Sequence, residues 1–259
     1  MVKRSEVKRS GLAVEVPEPS SLACAQRMDA AGRTAGALAH EIANYLGTIR
    51  GMLYLLADKL GNQPGTREEL DALARTLDGA ATFVETLRRF AHPPLLGAGP
   101  ADLNTVLREA EPALRATLRP DASLKLGLAA GTLNVRGDAA RVRELALDLV
   151  AGVIHALGAG ARVEIATRRA PDGAVAGPAA LLVVRDNGPG LDPDRAGRIF
   201  EPFVFDQAYD GGLRIPTVFA TVARSGGTMV AESEPGAGTV ITVTLPLEVP
   251  PAGRPAPTR

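Results

Sequence analysis

A histidine followed directly by an acid lies within a helical pattern near the N-terminal end of the chain. His40 and Glu41 are part of the segment LAHEIANYLGTIRGMLYLL, and Asn44 follows one helical turn later. Apolar residues here alternate in steps of four and three, the spacing of a helix that packs along one seam. They are Leu38, Ile42, Tyr45, Ile49, Met52 and Leu56.

His40 falls at heptad position f, off this seam, so we expect its ring to face solvent. An exposed neutral imidazole beside a carboxylate can act as a nucleophile, although the same pattern alone also fits an ordinary solvated histidine.

A second candidate group is the segment DNGPGLDP, which begins at Asp186 directly after a predicted strand. An aspartate at a strand end, followed by Gly188 and Gly190, can face a purine amino group while the backbone turns tightly around the ring. Most Asp-Asn-Gly runs are simply turns. The motif alone therefore does not identify a nucleotide site.

Composition excludes several classes of protein. The 259 residues suffice for one ordinary domain and a smaller module. Lys and Arg number 29 and so do Asp and Glu, so no net charge favours nucleic acid or anionic lipid. The single Cys24 excludes an internal disulfide framework and a cysteine-built metal site. Without a secretory signal or an apolar run of about 18 residues, we expect a cytoplasmic protein that neither spans a membrane nor binds nucleic acid.

The elements that must position these residues fall into five segments. They are a flexible arm (1–19), a long helical hairpin (20–94), a linker (95–101), a domain of mixed helices and strands (102–247) and a disordered tail (248–259). A hairpin with one apolar stripe on each helix cannot bury both stripes fully, so we expect a homodimer with a four-helix bundle. Strands together with segregated helices predict an α/β sandwich with a mixed sheet. The fold class is therefore α+β. Of the remaining histidines, His92 is expected to interact with the dipole at the C-terminal end of the second hairpin helix, and His155 to be structural or to lie at the surface.

The helix around His40 resembles the H-box helix of sensor histidine kinases. The segments DNGPGLDP, RIFEPF and SGGTMVAESEPGAGTVITVTLPL resemble, in the same order, the ATP-binding domain of that family, so the likeness covers about residues 30–247. The resemblance implies that His40 is a phosphoacceptor. Glu41 would orient or deprotonate the imidazole, and Asn44 would help to hold the acceptor region. Tyr45 stands where the family usually has a helix-bending proline.

The resemblance also implies the parts of a nucleotide site. Asp186, Gly188 and Gly190 match the G1 box, whose aspartate reads adenine, and Gly212 opens the segment whose backbone closes on the phosphates. The F box is matched by Phe200 and Phe203.

The phosphate end departs from the family pattern. Gly152 stands where the family has the asparagine that donates an oxygen to Mg²⁺, and Asp148, one turn earlier on the same face, could partly replace it. Gln207 replaces a phosphate-contacting lysine, and Asp206 adds a repelling carboxylate. Arg214 puts a long side chain where the backbone must approach closely, or alternatively supplies the positive charge lost at Gln207. We expect the domain to keep its fold and to bind ATP poorly or not at all.

Three functions fit these residues. In the first, His40 takes a phosphoryl group from a response-regulator aspartate and passes it to another, and the receiver domain brings the Mg²⁺. In the second, His40 is autophosphorylated from ATP, as in an ordinary sensor kinase. In the third, the dimer is a scaffold that regulates a true kinase and carries no phosphate.

Overall fold

The structure, a computed structural model, describes residues 21–60, 65–154, 157–171, 177–204 and 212–248. The predicted arm, nearly all of the predicted tail, His155 and the pair Asp206 and Gln207 lie outside these residues. Within the described ranges, no helix combines the length and the hydropathy that a bilayer span requires.

The N-terminal part of the described chain is a helical hairpin of α1 (Ser21–Leu60) and α2 (Thr66–Ala91). Both helices lie within the segment 20–94 that is predicted to form the hairpin. Small residues of α1 face α2 and form an apolar cluster with it. The cluster contains Ala35, Ala39, Val84, Leu87, Phe90 and Leu213, with Leu46 and Phe83 packed against it.

The seam predicted for α1 is not the face that packs against α2. We call the six residues of that seam the outer stripe; they are Leu38, Ile42, Tyr45, Ile49, Met52 and Leu56, and each is 38 to 69% exposed in the single chain. The inward face uses alanine, which lets two helix backbones approach closely but adds little to a hydrophobic pattern. The outer stripe thus remains available for another partner, and the predicted four-helix bundle stays a prediction.

The C-terminal domain contains four helices and seven strands among the described residues. The helices are α3 (Leu103–Ala116), α4 (Ala139–Ile154), α5 (Pro193–Gly197) and α6 (Arg214–Arg224). The strands are β1 (Pro100–Asp102), β2 (Ser123–Gly127), β3 (Asn134–Arg136), β4 (Arg162–Arg169), β5 (Ala179–Asp186), β6 (Thr228–Glu234) and β7 (Gly238–Pro246).

Five strands form one sheet in the order β2-β4-β5-β7-β6, while β1 and β3 pair separately. The β2 and β4 strands are parallel, and the other neighbours are antiparallel, so the predicted mixed sheet is confirmed. Side chains of β6 alternate between exposed and buried, as expected for a strand with one face on a core. The buried face packs with α3, α4 and α6 around residues such as Leu107, Leu149, Ile165 and Val222.

The C-terminal domain packs directly on the hairpin. Leu213, which is 0% exposed, belongs to the apolar cluster of α1 and α2. The linker predicted at 95–101 is also held, because the Leu96 N–H donates to Ser225 Oγ at 3.1 Å and the Leu96 carbonyl accepts from the Asp138 N–H at 2.6 Å. Arg224 donates to the carbonyl of Pro93. These contacts fix the end of α2 against the C-terminal end of α6.

Candidate functional site

His40 lies on the surface of α1, as its heptad position predicts. Its neighbour Glu41 is also exposed, and so is Asn44, whose carbonyl accepts from Thr48 Oγ at 3.1 Å. No hydrogen bond or ion pair to the His40 or Glu41 side chain is present within the described part of the chain. The imidazole is therefore open to an incoming group, with a carboxylate on the adjacent residue.

The three faces of α1 point in different directions. With 100° per residue, His40 lies roughly 160° around the helix from the centre of the outer stripe. It lies roughly 110° from the direction of Ala39 and Leu46, which face α2. His40 would thus remain uncovered if a second helix lay along the outer stripe.

Asp186, the carboxylate that the sequence predicts to bind a purine, is the last residue of β5. Asp186 is only 7% exposed. Its Oδ1 accepts from the backbone N–H of Gly188 at 2.7 Å and from that of Thr239 at 3.2 Å. Burial raises the pKa of Asp186, and these two N–H donors partly oppose the rise. Both donors reach Oδ1, so among the described residues Oδ2 is left to accept a hydrogen bond from a ligand such as an adenine amino group.

Close packing explains both glycines of the predicted turn. A β-carbon at Gly188 would lie 2.5 Å from Cδ2 of Leu157. Gly190 has φ of +69°, and a β-carbon there would lie 1.9 Å from the carbonyl oxygen of Glu234. The turn is thus pressed against the end of β6, and only glycine fits at position 190.

The two phenylalanines of the predicted F box differ in their surroundings. Phe200 is half-buried and stacks on Phe219 of α6, with 4.7 Å between ring centroids and 16° between planes. Phe203 is exposed and has φ of +63°, in the left-handed region. Phe219 was not predicted as part of the site, since its only signal is an aromatic residue on the helix that follows Gly212 and Leu213.

The predicted metal end is filled by protein side chains. A β-carbon at Gly152 would lie 2.7 Å from Cδ1 of Ile215 and 3.4 Å from Cβ of Arg214, so α6 packs where an asparagine side chain would otherwise extend. The nearby Asp148 accepts from Arg89 Nη2 at 2.6 Å through Oδ2, and from Arg214 Nη1 at 3.2 Å through Oδ1.

This arrangement does not fit a magnesium site. A hard cation needs several oxygen ligands, and both oxygens of Asp148 are engaged by guanidinium groups. In the described part of the chain, no group of three or more His, Cys, Asp or Glu side chains is close enough to hold a metal ion.

Gly212, buried and with φ of +69°, leads directly into the packed first turn of α6. Arg214 pairs with Asp148, and because Gln207 lies outside the described residues, the alternative that Arg214 supplies the positive charge lost there stays a prediction.

Comparisons with known proteins agree with the fold of the C-terminal domain. Residues 137–249 match the family described as Histidine kinase-, DNA gyrase B-, and HSP90-like ATPase. The full-length structure of ShkA in complex with AMPPNP has a TM-score of 0.69 with this chain at 24% identity, covering 85% of this chain and 47% of that one. At that identity the likeness shows the fold alone.

Curated relatives extend the similarity to the hairpin. The sensor histidine kinase ZraS of Klebsiella oxytoca is 28% identical over 226 residues, which is 86% of this chain and 47% of that protein. The C4-dicarboxylate transport sensor protein DctB of Rhizobium meliloti is 30% identical over 227 residues, 85% of this chain and 35% of that protein. The sensor kinase CckA of Brucella abortus is 28% identical over 250 residues, 90% of this chain and 26% of that protein. The chain thus spans about half or less of the length of these relatives. Residues 137–249 thus match the ATPase family, and the chain is similar over most of its length to part of several sensor kinases.

Proposed function

We propose that this chain is a two-component phosphotransfer protein in which His40 carries a phosphoryl group between response-regulator aspartates. One observation carries the proposal: the imidazole of His40 is exposed beside Glu41, while the metal end of the nucleotide site is occupied by Ile215 and by the two arginines on Asp148. The phosphoacceptor His40 is therefore accessible, whereas the nucleotide site that would phosphorylate it from ATP lacks its magnesium ligands.

The proposed reaction is a reversible transfer between two side chains. An imidazole nitrogen of His40 attacks the phosphorus of a receiver aspartyl phosphate, so a P–N bond forms as the P–O bond to the receiver carboxylate breaks. The receiver recovers its free carboxylate. Glu41 takes up the proton that the imidazole loses, or holds the ring in the attacking orientation. The reverse reaction delivers the phosphoryl group to a second receiver, and in both directions the Mg²⁺ is bound by the receiver.

The proposed assembly is a homodimer in which a second copy covers the outer stripe. The stripe presents six large apolar side chains along α1 that the single chain leaves exposed. A contiguous apolar surface of this kind is typical of an interface between protein chains. His40 lies on the opposite side of the same helix, so dimerisation would leave it accessible to a receiver domain.

The second candidate function is ATP-dependent autophosphorylation of His40, and a specific feature favours it. The adenine end of the site keeps a buried carboxylate with one oxygen available at Asp186, together with the tight turn at Gly190. We propose that this end is retained as a weak or vestigial nucleotide site, because an adenine contact alone does not align a γ-phosphate for transfer.

Two phosphorylation experiments separate these functions. The purified full chain is first mixed with a panel of receiver domains charged with labelled acetyl phosphate, and then, separately, incubated with labelled ATP and Mg²⁺. Our proposal predicts label on the chain from at least one receiver, none or very little from ATP, and loss of label in His40→Gln. His92→Gln is the control, because His92 is an exposed histidine of the same hairpin. Label arriving from ATP at a rate comparable to receiver transfer would establish the kinase function instead.

A further inference from the structure

One carboxylate joins three helices that belong to both parts of the molecule. Asp148 lies on α4, and its Oδ2 is 2.6 Å from Nη2 of Arg89 on α2. Its Oδ1 is 3.2 Å from Nη1 of Arg214, the first residue of α6. We propose that Arg89, Asp148 and Arg214 form an interdomain latch that holds the C-terminal domain in its docked position on the hairpin.

The position of the latch gives it more effect than a surface ion pair. The Asp148 side chain is 15% exposed, and the two guanidinium groups are also partly shielded from solvent. Ion pairs exposed to water contribute little, whereas breaking a shielded pair costs more. Of the three latch residues, Arg89 belongs to the hairpin, while Asp148 and Arg214 both belong to the C-terminal domain. Loss of Arg89 would therefore weaken docking by more than loss of an exposed arginine on the same helix.

An apolar contact lies directly beside the latch. Leu213 precedes Arg214 in the chain and is buried in the hairpin cluster that contains Ala39, the residue before His40. The charged and the apolar parts of the docking surface thus lie on consecutive residues. When the latch holds, Leu213 stays in the cluster, and His40 remains exposed on the neighbouring face. Release of the latch would withdraw Leu213 and uncover the apolar surface formed by Leu87 and Phe90.

The test measures the distance between the two parts of the chain by pulsed electron spin resonance. Spin labels are attached at Arg75→Cys on α2 and Glu232→Cys on β6, both exposed, in a Cys24→Ser background. Labelled chains are diluted with unlabelled chains, so that the distance within one chain is observed. The variants are Arg89→Gln, Asp148→Asn and the double variant. Arg88→Gln is the matched control, since Arg88 is exposed and pairs with Glu85 of its own helix at 2.9 Å.

The latch predicts a specific pattern of distances. The ratio of docked to undocked chains should fall about fivefold to tenfold in Arg89→Gln and remain unchanged in Arg88→Gln. The double variant should be no more open than the more open single variant, because both changes break one interaction. A docked fraction in Arg89→Gln equal to that of Arg88→Gln would overturn the proposal.

Urea unfolding of each variant checks that the domains stay folded; if Asp148→Asn does not fold, Arg89→Gln alone decides the outcome. The measurement involves no phosphate, so its result is independent of the function proposed for His40.

Discussion

Gly152 on α4 lies so close to Ile215 on α6 that a β-carbon at position 152 would be 2.7 Å from Cδ1 of the isoleucine and 2.9 Å from its Cγ1. Helix propensity does not account for this glycine, which costs about 1 kcal/mol relative to alanine inside a helix. The close approach of α6 does account for it. The glycine that stands where the family resemblance implies a magnesium ligand is therefore also the residue that allows α6 to pack on α4.

We predict that Gly152→Asn lowers the free energy of unfolding by about 1–3 kcal/mol, because its side chain must displace Ile215 and the first turn of α6. Urea denaturation of the full chain measures the change. Gly47→Asn is the control, since Gly47 is also within a helix but a β-carbon there would meet nothing within 4 Å. A Gly152→Asn protein as stable as the control would show that α6 can move away at no cost.

A second prediction concerns the turn beside Asp186. Gly190→Ala should lower the free energy of unfolding by about 2–4 kcal/mol, because alanine at φ of +69° is strained and its β-carbon would overlap the carbonyl oxygen of Glu234. Gly236→Ala has a similar φ of +82° but open space around the β-carbon, so only the backbone strain of about 1 kcal/mol applies. The difference between the two variants in urea denaturation isolates the contact. Equal losses would mean that the turn can shift away from β6.

Periodicity predicts much of this fold. The hairpin follows from long runs of apolar residues in steps of three and four, and strands such as β4 and β7 follow from β-branched residues between turn signals. The predicted strands, together with segregated helices, indicated a mixed sheet, and Asp186 follows one of these strands directly. These signals are local, because each arises from residues within one or two turns or along one strand.

The partners of Asp148 could not be predicted in this way. Arg89 is 59 residues away in sequence and Arg214 is 66, and no local pattern links them to a given carboxylate. The inward face of α1 was missed for a different reason. Ala35 and Ala39 contribute little to a hydrophobic pattern, whereas the larger outer stripe dominates it, although the stripe is exposed in the single chain.

A third prediction is a pH dependence that arises from Asp186. Burial raises the pKa of this carboxyl, so between the unfolded value of about 4 and the raised folded value the native state binds more protons than the unfolded state. The stability of the native protein should therefore fall as the pH rises through that window, and remain lower above it. Asparagine keeps an oxygen for the N–H groups of Gly188 and Thr239 and carries no charge.

We therefore expect Asp186→Asn to be more stable than the native sequence at neutral pH, with the difference shrinking as the pH approaches about 4. Urea denaturation of both proteins across this range measures the difference. A constant difference at every pH would show that the change acts through packing and not through the charge.

The last prediction tests the outer stripe as a dimer interface. Ile49 lies within the stripe and is 48% exposed, and Val230 on β6 is a β-branched apolar residue with the same exposure. Because a buried lysine without a partner is costly, Ile49→Lys should weaken dimerisation by about 2–4 kcal/mol, roughly a thirtyfold to thousandfold increase in the dissociation constant. Val230→Lys should leave it unchanged. Sedimentation equilibrium over a range of concentrations gives both constants. A native chain that sediments as a monomer at all concentrations would contradict the interface, whereas a dimer insensitive to Ile49→Lys would place the contact elsewhere on the molecule.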